Sequence, residues 1–166
     1  DLQILAPVIE QIGGEVEWVF FGSQPPGADK LPVEFHPAVA YEQYPQKLAS
    51  LNLDLALAPL SACAFNEAKS NLRVLEFGML GIPVICSDIE PFRGAPVTRI
   101  SNTAAAWVGA IREYAHDPRL REKQGTLLKA WVLAGFTLDL HAASWCDALG
   151  LPGDDRPGCL PVSSSA

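Results

Sequence analysis

The chain has 166 residues, an apolar fraction of 49% and a formal net charge of −7. This length and apolar content predict one folded domain with a sizeable core and exclude a disordered segment. Nucleic-acid binding domains usually carry a basic face, so the acidic balance makes a nucleic-acid partner unexpected. No apolar run reaches the roughly 18–20 residues that cross a bilayer, so no membrane span is expected.

The start of the sequence indicates a longer polypeptide, and the cysteines indicate a reducing compartment. The sequence opens on Asp1 inside a regular apolar pattern, which we interpret as a cut from a longer polypeptide. Neither a Cys-x-x-Cys pair nor a metal-ligand spacing occurs among the four cysteines, so we expect no metal site. Unpatterned cysteines favour free thiols in a reducing, cytoplasmic compartment over disulfides. They are Cys63, Cys86, Cys146 and Cys159.

Helical and strand patterns alternate along the chain. Apolar residues at helical spacing predict helices, and short β-branched or apolar runs predict strands. The helices are predicted over residues 1–14, 41–51, 70–80, 104–115, 118–133 and 137–149, the last with Thr137 as its N-cap. The strands are predicted over residues 16–22, 33–37, 53–60, 83–87 and 96–100, with a loop over 23–32.

This alternation predicts an α/β fold: a Rossmann-like parallel sheet with helices on both faces. The domain is expected to span residues 1–149, and the Pro-, Gly- and Ser-rich residues 150–166 to form a tail. A doubly wound domain begins with a strand, yet this chain begins with a helix. In the strand order 3-2-1-4-5-6 the absent first strand leaves a gap, unless the sheet closes differently. We expect that strand to lie upstream of Asp1.

The stretch 66–93 combines the features of a ligand site. It is predicted to run from a loop through a helix and a glycine turn into a buried strand and a second loop. Lys69, Arg73 and Glu76 have the i, i+4 and i+7 spacing of one helix face. Two cations and a carboxylate near the positive end of a helix can hold a phosphate and a hydroxyl-bearing sugar.

A family resemblance sharpens this interpretation. The segments LDLALAPL (53–60) and FNEAKSNLRVLEFGMLGIPVICSDIEPFR (65–93) resemble the nucleotide-sugar-binding C-terminal domain of group 1 glycosyltransferases of the two-Rossmann-domain (GT-B) type. The resemblance extends generically over residues 1–149. It implies that Glu76 accepts hydrogen bonds from the ribose hydroxyls of the donor. It places the donor phosphates and sugar at Lys69, Ser70, Asn71, Leu72 and Arg73, and the base at Gly22, Ala38 and Val39.

The sequence departs from the family pattern at one position. Many relatives carry a second glutamate eight residues before the ribose glutamate, where this chain has Ala68. Glu67 is one residue away, which is about 100° around a helix. The donor sugar is therefore left open. His36 at a strand end has two interpretations, a catalytic base or a structural residue.

Asn66, Asp88, Glu90 and Arg93 are predicted to lie on loops at the carboxyl ends of strands, the edge where such sheets bind ligands.

The resemblance implies a donor-binding domain of a glycosyltransferase. It would bind a nucleotide diphosphate sugar as donor substrate, without a metal or other cofactor. The sugar would pass to a glycan or lipid-linked acceptor held by a domain outside this chain, so the fragment alone is expected to be inactive. The alternative is a non-catalytic binding or assembly module that keeps the fold. A weaker third hypothesis is a flavodoxin-like domain with a phosphate or flavin site and no role for Glu76.

Overall fold

Helices and parallel strands alternate along the chain as the sequence predicts. The computed structural model describes residues 1–24 and 33–150, so the predicted loop 23–32 and tail 150–166 lie mostly outside the described residues. The helices are α1 (Ala6–Ile12, after a 3-10 turn over Leu2–Leu5), α2 (Tyr44–Ser50), α3 (Ala64–Glu67), α4 (Leu72–Met79), α5 (Ala104–His116), α6 (Pro118–Gly135) and α7 (Leu138–Ala148). The strands are β1 (Trp18–Gly22), β2 (Val33–Pro37), β3 (Ala56–Ala58), β4 (Val84–Ser87) and β5 (Thr98–Ile100).

The strands form two parallel sheets. One sheet pairs β1 with β2, and the other has the order β3-β4-β5. The predicted α/β class with a Rossmann-like arrangement of parallel strands is confirmed. Of the two arrangements that the sequence left open, the described residues show the gap, since no backbone pairing joins β1 to β3.

Helices cover both faces of the strands. On one face, α1 and α5 pack with β1, β4 and each other around Trp107, which is fully buried. On the other face, α4 and α6 pack against β3 and β4. The side chains of β4 alternate between these cores, with Ile85 in the first and Val84 and Cys86 in the second. Burial raises the pKa of the Cys86 thiol to about 12.

Several element ends differ from the prediction. The strand predicted over 53–60 contains only Ala56–Ala58, because it has a hydrogen-bonded neighbour on one side only. The helix predicted from residue 70 begins at Leu72. An unpredicted short helix, α3, contains Asn66, so that residue is buried in a helix and does not lie on a loop. Glu90 likewise begins a 3-10 turn.

The other local predictions concern cysteines and a cap. Cys63, Cys86 and Cys146 are free thiols, as expected, and Cys159 lies outside the described residues. Thr137 holds the N-cap position of α7, although its side chain makes no capping hydrogen bond. In the part of the chain that the structure describes, no helix combines the length and apolar character needed to cross a membrane.

Two glycines let α4 and α6 approach closely. A Cβ atom on Gly125 would lie 1.9 Å from the backbone oxygen of Gly81, and one on Gly78 would lie 2.7 Å from Val132. Backbone cannot move away as a flexible side chain can. Gly125 therefore sets the distance between α6 and the turn that leads into β4.

We expect Gly125→Ala to lower the free energy of unfolding by roughly 1–3 kcal/mol, because the added methyl group must displace backbone. Gly109→Ala is the matched control, since Gly109 also lies inside a helix but its Cβ would meet nothing within 4 Å. That control should be neutral or stabilising by up to about 1 kcal/mol. Urea unfolding measures both changes. Equal stability of the two variants would contradict the packing role of Gly125.

Candidate functional site

The carboxyl ends of β3 and β4 are joined by a polar network around one buried hydroxyl group. Ser87 is fully buried at the end of β4. Its hydroxyl accepts a hydrogen bond from Leu60 N (2.8 Å) and donates one to Asn102 Oδ1 (2.6 Å). Asn102 Nδ2 in turn donates to the Leu60 carbonyl (2.8 Å). The loops that carry the candidate residues therefore start from a rigid edge.

Glu76 lies on α4 with its carboxylate held in place by two partners. Tyr44, at the start of α2, donates its hydroxyl hydrogen to Glu76 Oε2 at 3.0 Å. Arg73 Nη1 donates to the same oxygen at 2.9 Å and also to the Tyr44 hydroxyl oxygen. The Glu76 side chain is 22% exposed and that of Arg73 is 61% exposed. The carboxylate is thus oriented and partly shielded, while the guanidinium faces solvent.

The charges of Glu76 and Arg73 affect the pKa of the Tyr44 hydroxyl. Burial raises the pKa of the Tyr44 hydroxyl; the Glu76 carboxylate also raises it, and the Arg73 guanidinium opposes the shift. The ring of Tyr44 stacks on Phe21 of β1, with centroids 5.3 Å apart. Tyr44 therefore links the end of β1 to α4 across the gap between the sheets.

Lys69 lies beside the carboxylate of Asp1. Its Nζ is 3.6 Å from Asp1 Oδ2 and 5.1 Å from the centre of the Phe65 ring. Asp1 Oδ1 accepts hydrogen bonds from Ser61 N (2.8 Å) and Asn66 Nδ2 (2.9 Å). The side chain of Lys69 is 35% exposed. Lys69 is therefore a localised, accessible positive charge at the carboxyl edge.

The start of α4 corrects one sequence interpretation. Lys69, Ser70 and Asn71 precede the helix, so Lys69 does not share a helix face with Arg73 and Glu76. Asn71 is the N-cap but makes no side-chain cap, and its carbonyl accepts from Val74 N and Leu75 N. The first-turn amides of Leu72 and Arg73 have no acceptor inside the helix. They form a partial positive end at the carboxyl edge.

The residues expected to contact the base lie at the ends of β1 and β2. Gly22 ends β1 with φ of +84°, a conformation that glycine adopts without strain. It is in register with Pro37, which ends β2 just before Ala38 and Val39. Ala38 is exposed and Val39 is half-buried.

His36 makes a contact within its own strand. Its Nε2 lies 2.7 Å from Glu34 Oε1, and both residues are on β2. This pairing favours the structural interpretation of His36 over the catalytic one.

The remaining charged residues at this edge pair among themselves. Glu67 Oε2 accepts a hydrogen bond from Glu90 N at 2.8 Å. Arg93 Nε lies 3.1 Å from Glu90 Oε2, and Arg99 Nη1 lies 3.5 Å from Asp88 Oδ1. Glu67 is thus engaged in holding the loop that contains Glu90.

The structure brings some of the predicted residues together and leaves others apart. A cavity of about 970 Å³ opens between the two sheets, and four of the predicted residues line it. They are Lys69, Ser70, Leu72 and Arg73. Glu76 joins them through Arg73, whereas Asn71, Gly22, Ala38 and Val39 lie outside the lining.

Two residues of this site were missed by sequence reasoning. Tyr44 is 32 positions from Glu76, and Asp1 is 65 positions from Asn66. Neither contact has a local sequence signal, because each depends on how distant elements pack. Among the described residues no cluster of three or more His, Cys, Asp or Glu side chains is arranged to hold a metal ion.

Comparisons with known proteins identified no relative of this chain. No protein-family model matches the sequence, and searches of curated proteins and of solved structures gave no significant match. The contacts of Glu76 and Lys69 and the position of α4 therefore carry the functional interpretation.

We expect Tyr44→Phe to lower the free energy of unfolding by about 1 kcal/mol, because it removes the hydroxyl shared by Glu76 and Arg73 while keeping the ring stack. Tyr41→Phe is the matched control, since Tyr41 is 87% exposed, and should not measurably change the free energy of unfolding.

The pKa of Tyr44 is raised in the folded state, so the contribution of its hydroxyl to the free energy of unfolding is complete below about pH 10 and is lost as the pH rises further. Urea unfolding at pH 7 to 10.5 measures both effects. A difference between wild type and Tyr44→Phe that grows above pH 10 would contradict this sign.

Proposed function

We propose that this chain is the donor-binding domain of a glycosyltransferase and binds a nucleotide diphosphate sugar at the carboxyl edge of its strands. The single observation that carries the proposal is the Glu76 carboxylate, which Tyr44 and Arg73 hold on α4, about one turn after its amino end. It gives one site an oriented acceptor for sugar hydroxyls and a partial positive charge for phosphates. The likeness of residues 53–60 and 65–93 to group 1 glycosyltransferases supports the same interpretation.

Glu76 has the chemistry to bind a ribose. Among the described residues, its two hydrogen bonds both go to Oε2. Oε1 keeps two lone pairs, enough to accept from both hydroxyls of a vicinal diol. A hydrogen bond from a neutral hydroxyl to a carboxylate is stronger than one between neutral groups. The two protein partners therefore orient the carboxylate without using the oxygen that the ribose needs.

The diphosphate would lie between Lys69 and the first turn of α4. The amides of Leu72 and Arg73 would donate to phosphate oxygens, as helix amino ends commonly do. Lys69 supplies a full charge, and Ser70 lies between it and the helix on the cavity wall. Binding phosphate requires Lys69 to exchange its 3.6 Å contact with Asp1 for the ligand. The long distance of that contact makes the exchange inexpensive.

Catalysis in the complete enzyme would be largely electrostatic. The cation and the helix dipole would stabilise the negative charge that develops on the departing nucleoside diphosphate. The transferred sugar would pass to a glycan or lipid-linked acceptor bound by another domain. A nucleotide-sugar donor and the free thiols of Cys63, Cys86 and Cys146 fit a cytoplasmic setting.

One observation favours a second function, a non-catalytic binding or assembly module. Many group 1 glycosyltransferases use an additional glutamate for the transferred sugar, and this chain has Ala68 at that position. Glu67, one residue away, uses its Oε2 to hold the loop at Glu90 N. A module of this kind would keep the fold without sugar transfer. Nucleotide binding by the correctly folded domain distinguishes the donor-binding function from this alternative.

We expect Glu76→Gln to weaken binding of UDP or GDP at least tenfold, since the neutral amide accepts ribose hydroxyls less strongly than the carboxylate. Isothermal titration of wild type and variant with both nucleotides measures the effect. Glu122→Gln on α6 is the matched control, because it removes the same charge from an exposed helix position. Circular dichroism verifies the fold of each variant.

The outcomes separate the two functions. Binding by wild type that Glu76→Gln removes and Glu122→Gln keeps supports the donor-binding function. A folded wild type that binds neither nucleotide favours the non-catalytic module.

We expect Lys69→Ala to weaken UDP binding about fivefold to tenfold and to leave uridine binding unchanged, because Lys69 is proposed to contact phosphate only. The difference should shrink as salt is raised from 0.05 to about 0.5 M, since exposed charges are screened. Lys129→Ala on α6 serves as the control for loss of one exposed lysine. An equal loss for uridine and UDP would place Lys69 away from the diphosphate.

A further inference from the structure

Strand β2 has an open edge on the side that faces away from β1. Within the described residues it pairs only with β1, in parallel, from Val33 to Pro37. Backbone amides and carbonyls that do not face β1 therefore point away from the sheet, where another strand can pair with them. Proteins usually protect such an edge with charged side chains or proline, and β2 has both. The order of its charges, however, allows one kind of pairing.

The middle of β2 presents two polar side chains and one aromatic ring. Glu34 and Phe35 are exposed, and His36 is half-buried. Successive side chains of a strand point to opposite faces, so Glu34 and His36 share one face and Phe35 lies on the other. Within the strand, Glu34 Oε1 lies 2.7 Å from His36 Nε2. The second carboxylate oxygen of Glu34 has no hydrogen-bond partner among the described residues.

The sequence of β2, VEFHP, is self-complementary in an antiparallel pair. When two copies of β2 are related by a two-fold axis beside Phe35, each Glu34 lies directly opposite His36 of the other copy. Side chains that lie directly opposite share a face, and their Cβ atoms are about 4.5–5.5 Å apart. Each Glu34 then has one imidazole along its own strand and another across the pair, one for each carboxylate oxygen. On the other face the two Phe35 rings form an aromatic cross-strand pair.

Other registers of a two-fold antiparallel pair lack this match. The axis lies beside a single residue, because hydrogen-bonded and non-hydrogen-bonded pairs alternate along the strands. An axis beside Glu34 places two carboxylates opposite each other, and like charges in that position are destabilising. An axis beside His36 places two imidazoles opposite each other. Only the axis beside Phe35 pairs the whole of β2 and sets unlike groups against each other.

We propose that β2 is a self-association surface, on which a second copy of this chain pairs antiparallel about Phe35. The pairing joins two β1-β2 sheets into one continuous sheet. An interface built on one short strand is small, so we expect a weak dimer that forms at about 0.1 mM protein. The inference rests on the edge and the sequence of β2, and it does not depend on nucleotide binding.

Charge reversal tests the proposal, because it distinguishes pairing between copies from pairing within one strand. Glu34→Lys places a cation opposite His36 of the second copy, and His36→Glu places a carboxylate opposite Glu34. Each variant alone should self-associate at least about tenfold more weakly than wild type. An equimolar mixture of the two variants should recover the dimer. In that heterodimer the introduced lysine lies opposite the introduced glutamate, and the remaining Glu34 lies opposite the remaining His36.

Sedimentation velocity at about 10 µM to 1 mM protein measures the association of wild type, of each variant and of the mixture. Glu10→Lys and Gln11→Glu are the matched controls, because they make the same two replacements of charge at exposed positions of α1. Both controls should associate as wild type does. Circular dichroism verifies the fold of each variant.

Amide hydrogen exchange on wild type gives a second test that needs no substitution. Exchange of the β2 amides that face away from β1 should slow as the protein concentration is raised, because pairing with a second copy protects them. Exchange that does not change with concentration in a dimerising wild type would contradict pairing through β2, even where a variant fails to fold.

Three sedimentation results would overturn the proposal. A wild type that stays monomeric at about 1 mM would show that β2 is closed to a second copy. Dimerisation that both charge reversals leave unchanged would place the contact on another surface. Loss of dimerisation in each variant without recovery in the mixture would show that Glu34 and His36 do not lie opposite each other.

Discussion

In the part of the chain that the structure describes, side-chain packing and not backbone pairing joins the two sheets. Trp18 and Phe20 of β1 share one buried core with Ile85 of β4, and α1 and α5 fill the space between them. At the carboxyl edge the described residues form two polar links across the gap. One is the cluster of Tyr44, Arg73 and Glu76, and the other joins Asp1 to Ser61 and Asn66. Hydrophobic contact is not directional, so this core holds the two sheets close together but does not align their edge strands.

The geometry of the candidate site depends on how the two sheets pack together. Tyr44 and Phe21 belong to the half that contains β1, whereas Arg73 and Glu76 belong to the half that contains β3. The orientation of the Glu76 carboxylate therefore depends on how far apart the halves lie. The packing of the two halves and the precision of the site are thus coupled through Tyr44.

Sequence reasoning succeeded where a local pattern decides the structure. The long helices α5 and α6 follow from apolar periodicity and from Asp117, whose carboxylate caps α6 through Arg119 N and Leu120 N. The sequence also indicated that a gap could form, because a helix came where a first strand was needed, but it did not exclude a different closure of the sheet. The bounds of β3 could not be predicted, because a strand ends where its partner strand ends. The role of Tyr44 could not be predicted either, because its contact with Glu76 depends on packing between α2 and α4.

The difference between local patterns and long-range packing also explains the positions of Glu76 and Lys69. Glu76 is on the helix as its spacing implied, and Arg73 at i−3 contacts it for local reasons. Lys69 was expected on the same face but precedes the helix, and its neighbour is Asp1. This separation bears on the proposed function. A cation on the Glu76 face would pair closely with that carboxylate, as Arg73 does at 2.9 Å, whereas Lys69 before the helix has a longer contact of 3.6 Å with Asp1. The start of α4 therefore keeps apart an acceptor and a cation, which the proposed donor would contact at its ribose and at its phosphates.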